Sequence, residues 1–323
     1  RAPFTLIERL HMRFNPKARL DTRRTRDAGR GAGGGGGGSR LPIPGGVGGG
    51  SIGGVILLVV LFLVGNWLGI DLTGGGGGGG GAGSGALDSS RFSDTGRYTK
   101  CKTGEDANND PDCARVAVEN SLFDYWTDEL GNDFRPQEAL VTFSGAVNTG
   151  CGQATSDVGP FYCPGDNTIY LDSTFFDQVL EDQLGGPDGG FVEAYVLAHE
   201  YGHHLQNLMG TMGKVRSQQG PQSDAVKLEL QADCYAGMWT KAATETEDAD
   251  GNVLFAELTQ QDIDLALEAA ASVGDDRIQS KTQGQVTEES WTHGSAAQRK
   301  RWFSVGLDEG SLDACDTFDG RQV

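Results

Sequence analysis

Histidine is scarce in this chain: five residues in 323. Closely spaced cysteine pairs are missing, which excludes the C-x-x-C pattern of thiolate zinc sites. Basic residues thin out after position 40. The first 40 residues carry ten Lys and Arg against three Asp and Glu, and the remainder carries 16 against 42. The overall charge of −19 therefore combines a basic arm with a strongly acidic body, and an acidic body argues against nucleic acid as its partner.

Glycine, by contrast, is concentrated. Residues 29–85 hold 27 of the 51 glycines, including the runs Gly33–Gly38 and Gly74–Gly81. Such tracts bury too little apolar surface to offset chain entropy and read as flexible linkers. Between them, Ile52–Ile70 is 19 residues without a charge. A helix of that length spans about 28 Å, enough for a bilayer core. A cleaved signal peptide fits less well, because the basic region ahead is long and no small-residue cleavage site follows closely. The reading is a single transmembrane helix, with the arginine excess placing the N-terminus in the cytoplasm and the acidic body outside. The expected organisation is a basic, Gly-rich tail over 1–51, an anchor over 52–70, a linker over 71–95 and a globular domain over 96–323. Residues 1–11 read as sequence upstream of a start at Met12.

All six cysteines follow the apolar segment, where an oxidising compartment favours disulfides. Proximity suggests Cys101–Cys113, Cys151–Cys163 and a long-range Cys234–Cys315 bridge among the 15 possible pairings.

Periodicity predicts a helix over "PDCARVAVENSLFDYWTDEL", a strand in "QEALVTFSGAV", a turn at Pro164–Asn167 and a strand at Thr168–Leu171. A helix follows to Gly185–Gly186, then one in "GGFVEAYVLAHEYGHHLQNLMG", and further helices fit 222–243, 259–273 and 295–305. A few strands followed by mostly helices is an α+β pattern.

Three of the five histidines fall within six residues. His199-Glu200-Tyr201-Gly202-His203 matches H-E-x-x-H. Residues four apart share a helix face, so both imidazoles reach one ion, while Glu200 stands beside it. His204 points elsewhere on the helix and reads as a bystander. A third ligand is expected downstream. In "KLELQADCYAGMW", Glu229 and Asp233 are four apart on one face. Glu229 suits the metal, and Asp233 suits the non-metal nitrogen of His199 or His203. The small residues Ala232, Ala236 and Gly237 would let this helix pack close to the first. Three protein ligands, no thiolate and a spare carboxylate are the catalytic arrangement for Zn2+, since structural sites are usually closed by four.

His293 lies in "WTHGSAAQRKRWFSVG", just ahead of a capping box formed by Ser295 and Gln298. It reads either as a transition-state donor or as a structural histidine. Arg299–Arg301 reads as a solvated face, or as salt bridges to the acidic body.

With H-E-Y-G-H-H, E-L-Q-A-D and T-H-G-S-x-x-Q-R in this order, the chain resembles the "Putative neutral zinc metallopeptidase" family of membrane-anchored bacterial proteins. The resemblance runs from Arg97 onward and extends to "FNPKARLD" near the start. It implies a zincin-like, gluzincin-type α+β domain with His199, His203 and Glu229 as ligands of Zn2+, Glu200 as general base and Asp233 as the orienting carboxylate. It also implies that Thr168–Leu171 is the edge strand along which extended peptide lies, and it adds weight to a catalytic His293. The expected activity is that of a membrane-anchored zinc endopeptidase acting on peptide or protein. The alternatives are a zinc-stabilised envelope scaffold and a zinc amidase acting on cell-wall crosslinks.

Overall fold

The computed structural model describes residues 12–30, 94–176, 180, 182, 187, 190–248 and 250–323. Eight strands and seven helices are assigned within them. In chain order they are β1 (Arg13–Phe14), β2 (Thr25–Arg30), α1 (Gly104–Asn109), α2 (Pro111–Leu130), β3 (Ala139–Ser144), β4 (Ala146–Thr149), β5 (Gly152–Thr155), β6 (Phe161–Cys163), β7 (Thr168–Asp172), α3 (Gly190–Leu208), α4 (Asp224–Ala242), β8 (Phe255–Glu257), α5 (Gln260–Ser272), α6 (Asp275–Gln283) and α7 (Ala296–Glu309). The α+β expectation holds, and the helices predicted at 222–243, 259–273 and 295–305 appear as α4, α5 and α7.

The main sheet has the order β2-β3-β7-β6. β2, β3 and β7 run parallel, and β6 pairs antiparallel with β7. Both faces of β3 are covered, which explains its nearly continuous apolar run. Leu140 joins Ile169, Leu171 and Tyr162 in the main core under the helices. Ala139, Val141 and Phe143 join Phe161 and Tyr170 in a smaller core on the other face, beneath the β4–β5 hairpin.

Two sequence expectations are corrected here. Thr168–Leu171 is not an edge. β7 has β3 on one side and β6 on the other, so the edge strand next to the helices is Phe161–Cys163. Residues 12–30 are not a separate tail. Phe14 is buried, β1 pairs with β8, and β2 pairs with β3 over Thr25–Leu140, Arg26–Val141 and Asp27–Thr142. Arg24 forks onto the buried Glu119 of α2 and stacks 3.7 Å over Phe123. The Thr95 backbone N–H donates to the Asp27 carbonyl at 2.9 Å. The signal misread was charge: Arg24 pairs with Glu119 of the body, and Arg23 pairs with Asp21 within the stretch itself. The expected anchor, 52–70, the linker up to residue 93 and most of the helix expected after Asp172 lie outside the described residues. Among the described residues no helix is long and apolar enough to cross a membrane.

The three cysteine pairs expected from proximity are present: Cys101–Cys113, Cys151–Cys163 and Cys234–Cys315. The last ties α4 to the C-terminal segment. Two close crossings position the site. A Cβ on Gly202 would stand 3.0 Å from the Cα of Ala232, so α3 and α4 touch backbone to backbone beside the histidines. A Cβ on Gly306 would stand 1.9 Å from the Cys234 carbonyl oxygen, so α7 crosses α4 just as closely. Gly237, expected to face α3, meets the Phe303 carbonyl of α7 instead.

Candidate metal centre

The α3–α4 crossing brings together His199, His203 and Glu229. All three are buried, and each offers a ligand atom within 4.8 Å of the other two. His199 Nε2 lies 3.2 Å from Glu229 Oε2, and His203 Nε2 lies 3.5 Å from Glu229 Oε1. A tetrahedral zinc with bonds of ~2.0–2.1 Å separates its ligands by about 3.3 Å, so the spacing fits.

The outer nitrogens fix both rings. His199 Nδ1 lies 2.8 Å from Asp233 Oδ1, and His203 Nδ1 lies 2.8 Å from Gln206 Oε1. Each outer partner is an acceptor, so each Nδ1 carries a proton and Nε2 is the nitrogen left to face an ion. Gln206 is held in turn, donating to the Leu228 carbonyl at 2.6 Å.

These partners set the protonation of the two rings differently. Burial lowers His199, but the Asp233 and Glu229 carboxylates override it and raise its pKa to about 9. His203, whose outer partner is a neutral amide, is lowered by burial to about 4. Burial alone would raise Glu229, yet the surrounding histidines hold it far below the usual carboxylate range. Burial raises Glu200 to about 7, against the pull of His199 and of the Tyr162 backbone N–H. Glu200 Oε2 is buried without a hydrogen-bond partner. Two inward imidazole nitrogens, one carboxylate and an unpartnered acid oxygen beside them are a donor set suited to Zn2+ with a water to be deprotonated.

Asp233 is fully buried and heavily used. Tyr195 donates its hydroxyl to Oδ1 at 2.6 Å, and Arg299 donates to Oδ2 from Nε at 2.8 Å and to Oδ1 from Nη2 at 2.9 Å. Arg299 belongs to the stretch expected to face solvent, yet it is 4% exposed. Salt bridging was one expected alternative; its partner is the carboxylate behind the metal site, not the acidic surface. Its position four residues after the Ser295 cap, on the α7 face that crosses α4, is the signal that could have found it.

His293 sits on the loop before α7. Ser295 and Gln298 form the expected capping box. Asp275 Oδ2 accepts three backbone N–H bonds, from Thr292, His293 and Gly294, at 2.7, 2.7 and 3.0 Å. His293 Nδ1 lies 3.4 Å from Asp275 Oδ1. Burial lowers His293, but the charges of Glu229 and Asp275 together raise it. Asp275 went unnoticed in the sequence because nothing local distinguishes it from other acidic residues.

His204 is the expected bystander with a structural task. Its Nε2 donates to the Arg135 carbonyl at 2.7 Å, and its ring packs 5.4 Å from that of Tyr162.

Here the comparisons bear on the site. A sequence profile of the family described as "Putative neutral zinc metallopeptidase" matches residues 12–318, and the chain belongs to that family. The matched span includes β1 and β2 as well as the helices. The "Uncharacterized protein Rv2575" of Mycobacterium tuberculosis is 51% identical over 229 residues, covering 70% of this chain and 76% of the relative. The "Uncharacterized protein Mb2605" of Mycobacterium bovis shows the same identity and coverage. The "Uncharacterized protein YpfJ" of Escherichia coli is 36% identical over 272 residues, covering 82% and 86%. No solved structure matches. The family and the buried His-His-Glu group agree on Zn2+ as the cofactor.

Proposed function

We propose that this chain is a zinc endopeptidase in which Glu200 moves the proton. The observation that carries the reading is Glu200 Oε2, buried without a partner beside His199, His203 and Glu229. A purely structural zinc site has no use for such an oxygen.

His199, His203 and Glu229 would hold the ion, which when bound supplies a Lewis acid that polarises the scissile carbonyl and acidifies water. Glu200 takes a proton from the attacking water as its oxygen bonds to the carbonyl carbon. Glu200 then passes that proton to the nitrogen as the C–N bond breaks and the amine departs. A carboxyl poised at about 7 suits both transfers. His293, braced by Asp275 at Nδ1, donates to the oxyanion from its other nitrogen.

Substrate lies along β6, the true edge. This edge is short, and Pro160 and Pro164 on either side have no N–H. The Tyr162 backbone acts on Glu200, lowering its pKa against burial. A peptide therefore pairs chiefly by donating its own N–H to the Tyr162 carbonyl. The same economy favours a second reading, an amide in a cell-wall crosslink, which presents no long extended strand. Three disulfides support work in an oxidising compartment outside the cytoplasm.

Digestion of a broad peptide library, with and without chelator, tests the proposal. Chelator-sensitive cleavage that Glu200→Gln abolishes supports it. A library left intact by the zinc-loaded chain overturns the endopeptidase reading, and fragments released from cell wall would then favour the amide.

A further inference from the structure

We infer that Arg299 is a positioning residue for the metal: it orients His199 through Asp233 and balances the charge of that carboxylate. This rests on the zinc reading above and adds a residue to it.

The geometry comes from α7. Its close crossing with α4 at Gly306 and Cys234 carries the Arg299 guanidinium inward, to a site where it is 4% exposed. There it spans Asp233 with two N–H bonds, one to each oxygen, at 2.8 and 2.9 Å. Its Nη2 also donates to the Tyr195 hydroxyl at 3.1 Å, and Tyr195 itself donates to Asp233. Asp233 is thus fixed by three donors from two helices before His199 adds a fourth.

A carboxylate so fixed holds one acceptor lobe on His199 Nδ1, which sets the plane of the ring and the aim of Nε2. A planar fork does this better than a point charge, because it locks both oxygens at once. Charge gives the second reason. Asp233 without Arg299 is a buried anion with too few partners, and Arg299 without Asp233 is a buried cation 3.4 Å from His199 Nδ1, where it opposes a dication on the same ring. The two residues act as one unit.

The arrangement also ties the two halves of the site together. Arg299 lies six residues after His293, across the Ser295 cap. One helix terminus therefore sets both the oxyanion donor and the brace behind His199.

A double-mutant cycle on zinc affinity tests this, with zinc competed against a chromogenic chelator on the full chain. Arg299→Gln and Asp233→Asn should each weaken zinc by about 10- to 100-fold. The double variant should bind no more weakly than the worse single variant, since its partner's effect is already lost. Arg299→Lys keeps the charge without the fork and should lose zinc affinity by several-fold. It serves as the measurement if Arg299→Gln does not fold. Unchanged affinity in either Arg299 variant, or losses that multiply in the double variant, overturns the inference and leaves the zinc reading standing. If the unaltered chain takes up no zinc, both fall.

Discussion

His199 Nε2 and Glu229 Oε2 stand 3.2 Å apart although thirty residues separate them, a gap that matches one edge of a zinc tetrahedron. Glu229→Ala should therefore release the ion. Elemental analysis of the purified chain is expected to fall from one zinc per molecule to well below it. Glu200→Gln should keep the zinc and lose hydrolysis by ~100-fold or more, since only the proton acceptor is gone. Zinc retained at full stoichiometry by Glu229→Ala would mean a different third ligand.

His204 gives the opposite pattern. His204→Ala leaves the Arg135 carbonyl without its donor and opens a gap beside Tyr162. The expected cost is about 1–3 kcal/mol of stability, read by denaturant unfolding, with zinc content unchanged. Loss of zinc at constant stability would place His204 among the ligands.

Gly202 sets how near α3 and α4 lie. Gly202→Ala puts a methyl 3.0 Å from the Cα of Ala232, tighter than atoms normally approach. Parting the helices should cost about 1–3 kcal/mol and weaken zinc binding. Melts with and without chelator check this: the gap between the two curves should narrow in the variant.

Asp124 supplies a pH effect away from the metal. Burial, with Glu119, Asp248 and Asp128 nearby, outweighs Arg24 and raises its carboxyl from 3.8 to about 7. The native state then holds a proton that the unfolded chain releases between those values, so the stability from this group is full below pH 4 and is lost as pH rises through 7. Asp124→Asn removes the penalty. The variant should match the unaltered chain at pH 4 and exceed it at pH 8 by ~1 kcal/mol, a figure reduced because the side chain is partly solvated. An equal difference at both pH values would contradict the assignment.

The His-His-Glu group was legible in the sequence because its chemistry is written at helical spacing. H-E-x-x-H and E-x-x-x-D each occupy one face of one helix, so only the crossing remained to be found. Arg299 was harder. An arginine among Lys300 and Arg301 looks solvated until α7 is known to cross α4. The edge strand was misplaced for a similar reason: Phe161–Cys163 is three residues long, and nothing local says that it lies outside Thr168–Asp172. β2 was hidden by composition, since "TRDAGR" has the charge of a tail and pairs with β3 only through long-range contacts. Cysteine proximity succeeded for the two local loops because short loops close easily, and elimination delivered the third.

The Asp27–Thr95 backbone bond has a practical corollary. Asp27 also donates its N–H to Asp94 Oδ1 at 3.2 Å, so the chain re-enters the sheet beside the point where it departed. Arg30 is three residues further along, roughly 10 Å at the rise of a strand. For the folded body, positions 30 and 94 are therefore neighbouring ends of the chain. A bridge of about six residues in place of 31–93 should leave zinc uptake and the three disulfides intact, as metal analysis and thiol titration of the shortened chain would read.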